Sequence, residues 1–323
     1  EFRRVLFRSA LFVAMILIGV GLGIYDARQK TVVEYQRNQA KLALVLAEQT
    51  ARAIQVVDLV VKGLCEDVRF AGADTPERFR AWATEPTIAE MVRTRMDHIP
   101  QLEAVTLVDV GGNVLNRRGA KANPDVMLHF WTIADDGLYV SEPRRSDSGR
   151  DWTIDLARRL SDQQGNLVGI LVGSISLQYF RELLEVARPG TDGSVTIVRD
   201  DGTILLHHPE ERSVTVGARL PANFAWYPIA AAGGGHYMSP GLGNTGSRSV
   251  WVNRILDLPM FVNVVQPEQS ALASWRLQTT YIVVGTLLMI AVLCAMFAML
   301  SMQFGRLARS ESSLAQRNTD LER

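Results

Sequence analysis

The sequence predicts an α+β protein: a long N-terminal helix and two similar modules, each with a five-stranded antiparallel sheet, flanked by two membrane-spanning helices. The string VTLVDVGGNVL at residues 105–115 recurs as VTIVRDDGTIL at residues 195–205. Each copy has a β-branched run, a turn with glycine and a second apolar run, which predicts a β-hairpin. The constant offset between the copies predicts one structural unit used twice. Two apolar segments bracket the pair and predict the spans.

The first apolar segment covers residues 10–25, ALFVAMILIGVGLGIY. It is slightly shorter than the roughly 20 residues that cross a bilayer. We expect a transmembrane helix and not a signal peptide, because no cleavage motif of small residues follows. Residues 1–9, EFRRVLFRS, match the in-frame translation of a common sequencing adapter. We therefore expect them to be foreign and the native N-terminus to be missing.

The second apolar segment predicts a transmembrane helix over residues 279–304, and residues 281–304 carry no charge. Trp275 and Tyr281 stand at its start, where interfacial aromatic residues are common. Two spans place both termini on one side of the membrane. We assign that side to the cytoplasm and the intervening residues to the periplasm, across a bacterial inner membrane.

The composition excludes several functional classes. Lys and Arg total 34, and Asp and Glu also total 34, so no basic footprint for nucleic acid is present. Cys65 lies on a predicted soluble helix and Cys294 in a predicted span, so we expect no disulfide. No paired carboxylates stand out, and GSIS at residues 173–176 lacks the glycine after serine that a nucleophile elbow needs. We expect no catalytic site, cofactor or nucleic-acid partner.

Residues 26–70 predict one long periplasmic helix. Apolar and small residues recur there in steps of three or four, so one face stays apolar. The repeating positions are Leu42, Leu46, Thr50, Ala53, Val57, Val60 and Leu64.

The two modules are predicted over residues 71–188 and 189–276. Thr75 and Pro76 favour the start of a short helix in the first module, as N-cap and first-turn residue. Both modules then have the order hairpin, connecting segment, short strand and long hairpin. We call the connecting segment between the first hairpin and the short strand the excursion. The predicted hairpins and short strands are 104–118, 138–141 and 152–177 in the first module, and 194–207, 235–239 and 249–265 in the second.

Residues 305–323 predict a cytoplasmic linker. Leu307, Leu314 and Leu321 recur every seven residues among polar residues, which is typical of the start of a coiled coil. An exposed juxtamembrane helix is the alternative. We expect a further domain after Arg323.

Two strings of the first module carry a family resemblance: LYVSEPRRSDSGRDWTIDLARRL at residues 138–160 and SDQQGNLVGILVGSISLQYF at residues 161–180. They are similar to the membrane-distal module of double Cache (tandem PDC) sensors of bacterial receptors. An "IS.P" strand precedes the central hairpin in that family, and here it is VSEP at residues 140–143. The resemblance covers residues 31–323 and implies two PAS-like modules. The last residues, 308–323, resemble linkers to PAS, diguanylate cyclase/phosphodiesterase or histidine kinase domains.

In such sensors the distal module holds a small ligand between its sheet and the excursion. Aromatic walls with few polar groups suit a small organic ligand, and an Arg with an Asp suits an amino acid or organic acid. The family's amino-acid pattern has an Arg in the excursion, where this chain has His129. Alternatively, the two tryptophans belong to the core and the arginine is solvated. The candidate residues are His129, Trp131, Tyr139, Arg145, Trp152 and Asp155.

Two sequence features of the second module resemble binding motifs but do not predict a binding site. GLGNTG at residues 241–246 matches G-x-G-x-x-G but follows a glycine-rich stretch and precedes a strand, so it indicates a loop. His207, His208 and His236 do not predict a metal site, because neighbouring residues of a strand point to opposite faces. We expect the second module to couple to the membrane and only the first to bind ligand.

Three functions are compatible with the sequence. The chain can be the sensor of a receptor with an enzymatic output, the sensor of a chemoreceptor, or an ectodomain that binds a partner and no ligand. A coiled output needs two copies, so we expect a homodimer through residues 31–64.

Overall fold

The computed structural model describes residues 2–118, 123–133, 136–146, 149, 151–186, 189–190, 192–240, 246–267, 270 and 272–321. The chain divides into two compact units. One is Gln36–Ser270, and the other combines Glu1–Tyr35 with Ala271–Arg323. Only Gly246 of the GLGNTG string belongs to the described residues.

Helices and strands follow the predicted order. The helices are α1 (Phe2–Phe70), α2 (Pro76–Ala83), α3 (Pro86–Met96), α4 (Pro124–Thr132), α5 (Leu177–Val186), α6 (Trp226–Ala231) and α7 (Ala273–Leu321). The strands are β1 (Leu102–Asp109), β2 (Val114–Arg118), β3 (Tyr139–Val140), β4 (Arg144–Arg145), β5 (Trp152–Ser161), β6 (Leu167–Ser176), β7 (Ser194–Arg199), β8 (Ile204–His208), β9 (Gly234–Ser239), β10 (Arg248–Arg254) and β11 (Met260–Pro267).

The strands form two antiparallel sheets of equivalent topology. The first has the order β2-β1-β6-β5-β3, and the second has the order β8-β7-β11-β10-β9. The predicted α+β class and the duplicated five-stranded unit are confirmed. We call the elements α2 to α5 with the first sheet the first module, and α6 with the second sheet the second module.

The first sheet contains one short strand that the sequence did not predict. Pro143 ends β3 as expected, because proline cannot donate a hydrogen bond to a neighbouring strand. Pairing then resumes at β4, where Arg144 lies opposite Thr153 and Arg145 opposite Trp152. This second contact with β5 fixes the position of both arginines.

The predicted apolar face of α1 packs against both sheets. Leu46, Val57 and Leu64 are at most 1% exposed and belong to a core that includes residues of both modules. Polar contacts hold the helix at two levels. The Ser249 hydroxyl donates to Gln39 Oε1 at 2.7 Å, and the Arg158 guanidinium donates two bonds to the Asp58 carboxylate. One helix therefore supplies core residues to both modules.

The opposite faces of the two sheets have separate small cores. In the first module Val126 and Phe130 of α4 pack against the sheet. In the second module Trp226 of α6 packs against Phe261 with a ring-centroid distance of 5.5 Å. Each sheet thus lies between the shared helix and its own short helix.

Among the described residues, two helical segments are long and apolar enough to cross a membrane. They are Leu11–Phe70, with a window of mean hydropathy 1.7, and Trp275–Leu300, with 2.7. The Trp275 indole N–H lies 3.4 Å from the Ile24 carbonyl oxygen, and the Arg28 guanidinium stands 6.0 Å from the Trp275 ring. The side chains of the predicted leucine heptads lie outside the described residues.

Gly169 of β6 allows α2 to approach the first sheet. A Cβ atom at this position would overlap the Phe79 ring and lie 3.0 Å from the Val108 carbonyl oxygen. Phe79 is fully buried, so its ring cannot swing into solvent.

Replacement of Gly169 by alanine should therefore destabilise the protein by about 1–3 kcal/mol through overpacking. Gly63→Ala is the matched control, because the atom nearest to its added Cβ is the flexible end of Arg95 at 3.3 Å. That helical substitution should be neutral or stabilising by up to about 1 kcal/mol. Urea denaturation of the full chain in detergent, followed by tryptophan fluorescence, measures both. Equal effects of the two substitutions would contradict this packing.

Candidate ligand site

The start of α4 is tied to the first sheet by Asn123. Its backbone N–H donates to Asp155 Oδ2 at 2.6 Å, and its side-chain amide donates to the Glu142 carbonyl at 2.9 Å. Pro124 follows at the first helical position, where a missing N–H has no cost. The excursion is thereby placed over β3, β4 and β5.

Asp155 is the buried anchor of this region. Its side chain is fully buried, and Oδ1 accepts a hydrogen bond from the Ser174 hydroxyl at 2.6 Å. Burial raises the pKa of Asp155, and the Ser174 bond and the charge of Arg144 oppose that shift only in part. With both oxygens engaged by the protein, Asp155 holds α4 and β6 together.

Asp125 and Tyr139 form a second polar pair beside it. The Tyr139 hydroxyl and the Glu142 N–H both donate to Asp125 Oδ2, at 3.1 and 2.8 Å. Burial and the charge of Asp125 raise the pKa of Tyr139 to about 12. The His129 ring stacks on Tyr139 with a centroid distance of 3.9 Å. Within the described residues, Asp125 Oδ1 is buried and has no hydrogen-bond partner.

Arg144 brings positive charge to the same place. Its side chain is 16% exposed, and Nε lies 3.7 Å from Asp155 Oδ2, beyond hydrogen-bond length. One terminal nitrogen donates to the Arg145 carbonyl at 3.3 Å. Nε and Nη2 are buried without a partner in the described part of the chain. Unpartnered donors and an unpartnered carboxylate oxygen thus occur in one buried network.

The six residues predicted from the sequence separate into two groups. His129, Tyr139 and Asp155 belong to the network or contact it. The other three lie nearer to solvent. Trp131 is 56% exposed and donates to the Val110 carbonyl, and the Arg145 guanidinium stands 4.3 Å from the half-buried Trp152 ring.

Sequence reasoning missed Arg144, Asp125, Asn123 and Ser174. Choosing Arg144 over Arg145 required the register of β4 on β5. Choosing Asp125 required the position of α4, which no periodicity indicates.

A scan against family models and a search of curated proteins gave no match. The structure is similar to the extracellular domain of rpHK1S-Z16, described as a histidine kinase, with a TM-score of 0.60 and 22% identity over 76% of this chain and 99% of that one. It is also similar to the periplasmic sensory domain of the Campylobacter jejuni chemoreceptor Tlp1, with a TM-score of 0.59 and 14% identity over 75% and 98%. A third is the ligand-binding domain of the Pseudomonas fluorescens chemoreceptor CtaA, with a TM-score of 0.53 and 17% identity over 77% and 98%.

This chain has the fold of an extracytoplasmic sensor domain. The resemblance to tandem PAS-like sensors is confirmed at the level of the fold.

Arg199 links the two modules of the sensor fold next to the polar network. From β7 it donates to the Val140 carbonyl at 3.1 Å and to Glu142 Oε1 at 3.2 Å. Two further bonds, at 3.0 and 2.8 Å, hold it to the Asp201 carboxylate. The segment that contains β3 and β4 is therefore bonded directly to the first hairpin of the second module.

Asp201 orients this guanidinium. Burial would raise the pKa of Asp201, but hydrogen bonds from Arg199 and Thr203 outweigh it and hold the pKa well below its usual range. The ionised carboxylate thus favours the folded state at all pH values above the ordinary pKa of about 3.9.

Asp201→Asn should destabilise the protein at pH 7 by roughly 1.5 kcal/mol or more, because bonds to a buried guanidinium lose their charge. The difference from wild type should shrink as the pH falls below about 4, because the carboxylate of the unfolded chain becomes protonated there while that of the folded chain is still ionised. The neighbouring exposed Asp200, changed to Asn, is the control and should alter stability little. Urea denaturation as a function of pH measures this, and a difference independent of pH would refute the role of Asp201.

Proposed function

We propose that this chain is the extracytoplasmic sensor region of a bacterial transmembrane receptor, with its ligand site in the first module. The proposed ligand site rests on two sets of buried atoms that have no hydrogen-bond partner among the described residues: Arg144 Nε and Nη2, and Asp125 Oδ1. Unpaired buried polar atoms cost about 1–3 kcal/mol each. A ligand that satisfies them recovers that free energy.

The charges indicate the ligand class. Arg144 can donate to a carboxylate through two N–H groups, and Asp125 Oδ1 can accept from an ammonium. Tyr139 and His129 supply an aromatic wall. An amino acid can pair with both side chains, through its carboxylate on Arg144 and its ammonium on Asp125. An organic acid can pair with Arg144 alone. The solved CtaA domain is in complex with L-isoleucine, which supports the amino-acid class.

The proposed signal passes from the first module to the second through side chains that are joined by hydrogen bonds. A ligand between Arg144 and Asp125 pulls on β4 and on Glu142, whose side chain is bonded to Arg199. Binding shifts the conformational equilibrium only as far as the ligand prefers one state. We place the sensor in the periplasm and the spans in the inner membrane, with a cyclic-di-GMP enzyme or a histidine kinase as the output after residue 323.

A chemoreceptor is the second candidate function, because Tlp1 and CtaA are chemoreceptors of the same fold. The coding sequence after residue 323 separates the two. Long uninterrupted heptads support a chemoreceptor, and a cyclase or kinase motif excludes it. An ectodomain that binds a partner and no ligand is the third reading, which the binding experiment below excludes or supports.

Thermal unfolding of the full chain in nanodiscs, with panels of L-amino acids and organic acids, tests the ligand site. At one hundred times Kd a ligand should stabilise the folded state by about 2.7 kcal/mol. Arg144→Gln should weaken every ligand at least about tenfold, through loss of a charge-assisted bond worth about 1.5–3 kcal/mol. Asp125→Asn should weaken amino acids and leave organic acids unchanged.

The matched control is Arg78→Gln, because the Arg78 side chain is 68% exposed on α2. It should bind as the wild type does. If neither panel stabilises the wild type, or if Arg144→Gln binds with unchanged affinity, the first module is not the ligand site.

We further propose a homodimer through α1. Val45, Val56 and Leu59 are 51%, 42% and 59% exposed, and their spacing of eleven and three residues places them on one helix face. This face lies apart from the buried stripe, so a second copy can cover it.

Leu59→Glu should reduce the mass of the full chain in detergent from dimer to monomer, because burial of a carboxylate in an apolar interface is costly. Val186→Glu is the control, since Val186 is 91% exposed at the end of α5. Light scattering after size-exclusion chromatography gives both masses. A monomeric wild type, or a Leu59→Glu protein that stays dimeric, would overturn the interface.

A further inference from the structure

The second module has a small, partly open cavity on the side of its sheet that faces α6. The sequence predicted a coupling role and no ligand for this module. The cavity has a volume of about 50 Å³ and lies between the sheet and the segment that connects β8 to α6. One water-sized position needs roughly 10–15 Å³, so the space holds about three to five non-hydrogen atoms.

Three buried polar groups line this cavity with hydrogen-bonding capacity unused. Ser194 Oγ, His207 Nε2 and Arg248 Nε are buried and have no partner in the portion of the chain described. Ser194 is 2% exposed and His207 is 5% exposed. Native proteins contain few such groups, so three of them in one cavity indicate a place where hydrogen bonds to a ligand could form.

The three groups all offer hydrogens. Thr196 Oγ1 lies 2.8 Å from His207 Nδ1, and when this hydroxyl donates, Nε2 carries the ring proton. Burial lowers the pKa of His207 in spite of the Glu211 charge, so the ring is neutral at pH 7. Arg248 is charged, with Nη1 3.7 Å from Glu211 Oε1, so its charge is only partly balanced.

Five apolar side chains also line the cavity: Val214, Leu220, Phe224, Val250 and Val265. The rest of the lining is polar and consists of the Glu211 carboxylate with Thr196, Tyr237, Ser239 and Asn263.

We infer that the second module binds a short-chain monocarboxylate, of the size of acetate or propionate, with its carboxylate on Ser194, His207 and Arg248 and its alkyl end on the apolar side chains. This site is additional to the proposed one in the first module, and it does not depend on that function. The size limit excludes larger acids, because an aromatic ring exceeds the available volume.

Isothermal titration of the full chain in nanodiscs with sodium propionate, against sodium chloride at equal ionic strength, tests the site. Propionate should bind saturably and benzoate should not. Ser194→Leu fills the cavity and should abolish binding, and His207→Phe removes a donor and should weaken binding about tenfold. Arg254→Gln, an exposed arginine on the same strand, is the matched control and should bind as the wild type does.

Ser194→Ala is the second variant, for the case that Ser194→Leu fails to fold. It removes a buried hydroxyl without adding volume, and it should weaken propionate binding several-fold. Absence of saturable binding to the wild type overturns the inference, and so does unchanged affinity in Ser194→Leu. Loss of propionate binding in Arg144→Gln but not in Ser194→Leu places the anion in the first module and also overturns it. Binding that Ser194→Leu abolishes, in a chain that binds nothing in the first module, supports this site and refutes the other.

Discussion

One buried face of α1 holds the sensor unit together. Leu46, Val57 and Leu64 pack into a core shared by the inner faces of both sheets. Without this helix the apolar residues that it covers on each sheet would be exposed to water, at a cost in stability of about 25 cal/mol for each Å² of apolar surface. Because both modules depend on the same helix, a movement of one relative to α1 changes the packing available to the other.

The shared core also leaves the outer sides of the sheets as the places where the buried polar groups of the proposed sites lie. The inner faces are filled with apolar side chains. The outer face of the first sheet is covered by α4, and that of the second sheet by α6 with the segment that precedes it. Buried polar atoms with unused capacity lie on these outer sides, at Arg144 and Asp125 in one module and at Ser194 and His207 in the other. The duplication thus repeats an arrangement as well as a fold: a sheet with one apolar side against α1 and an opposite side that has buried polar groups with unused hydrogen-bonding capacity. Arg199 connects the two modules, because it is hydrogen-bonded both to the β3–β4 segment of the first module and to Asp201 of the second.

Local patterns predicted the elements that local periodicity specifies. The apolar face of α1 with its three- and four-residue steps and the hairpins of β-branched and apolar runs appear in the structure close to their predicted bounds. The site was predicted only in part, because its geometry depends on contacts between residues far apart in sequence. Arg144 and Arg145 are neighbours in the chain, and only strand register distinguishes the less exposed one. Arg199 reaches Glu142 across 57 positions, and the cavity at Ser194 draws on a connecting segment without any regular pattern.

Hydrogen exchange of the full chain in nanodiscs, with and without a saturating ligand of the first module, tests the central claim most directly. The account predicts slower exchange at residues 123–132 and 139–145, where α4 and β4 close on the ligand. It also predicts altered exchange at residues 199–204 of the second module, through the Arg199 link. Slower exchange confined to the first module would contradict the coupling. A bound ligand that leaves residues 123–132 and 139–145 unchanged would contradict the site itself.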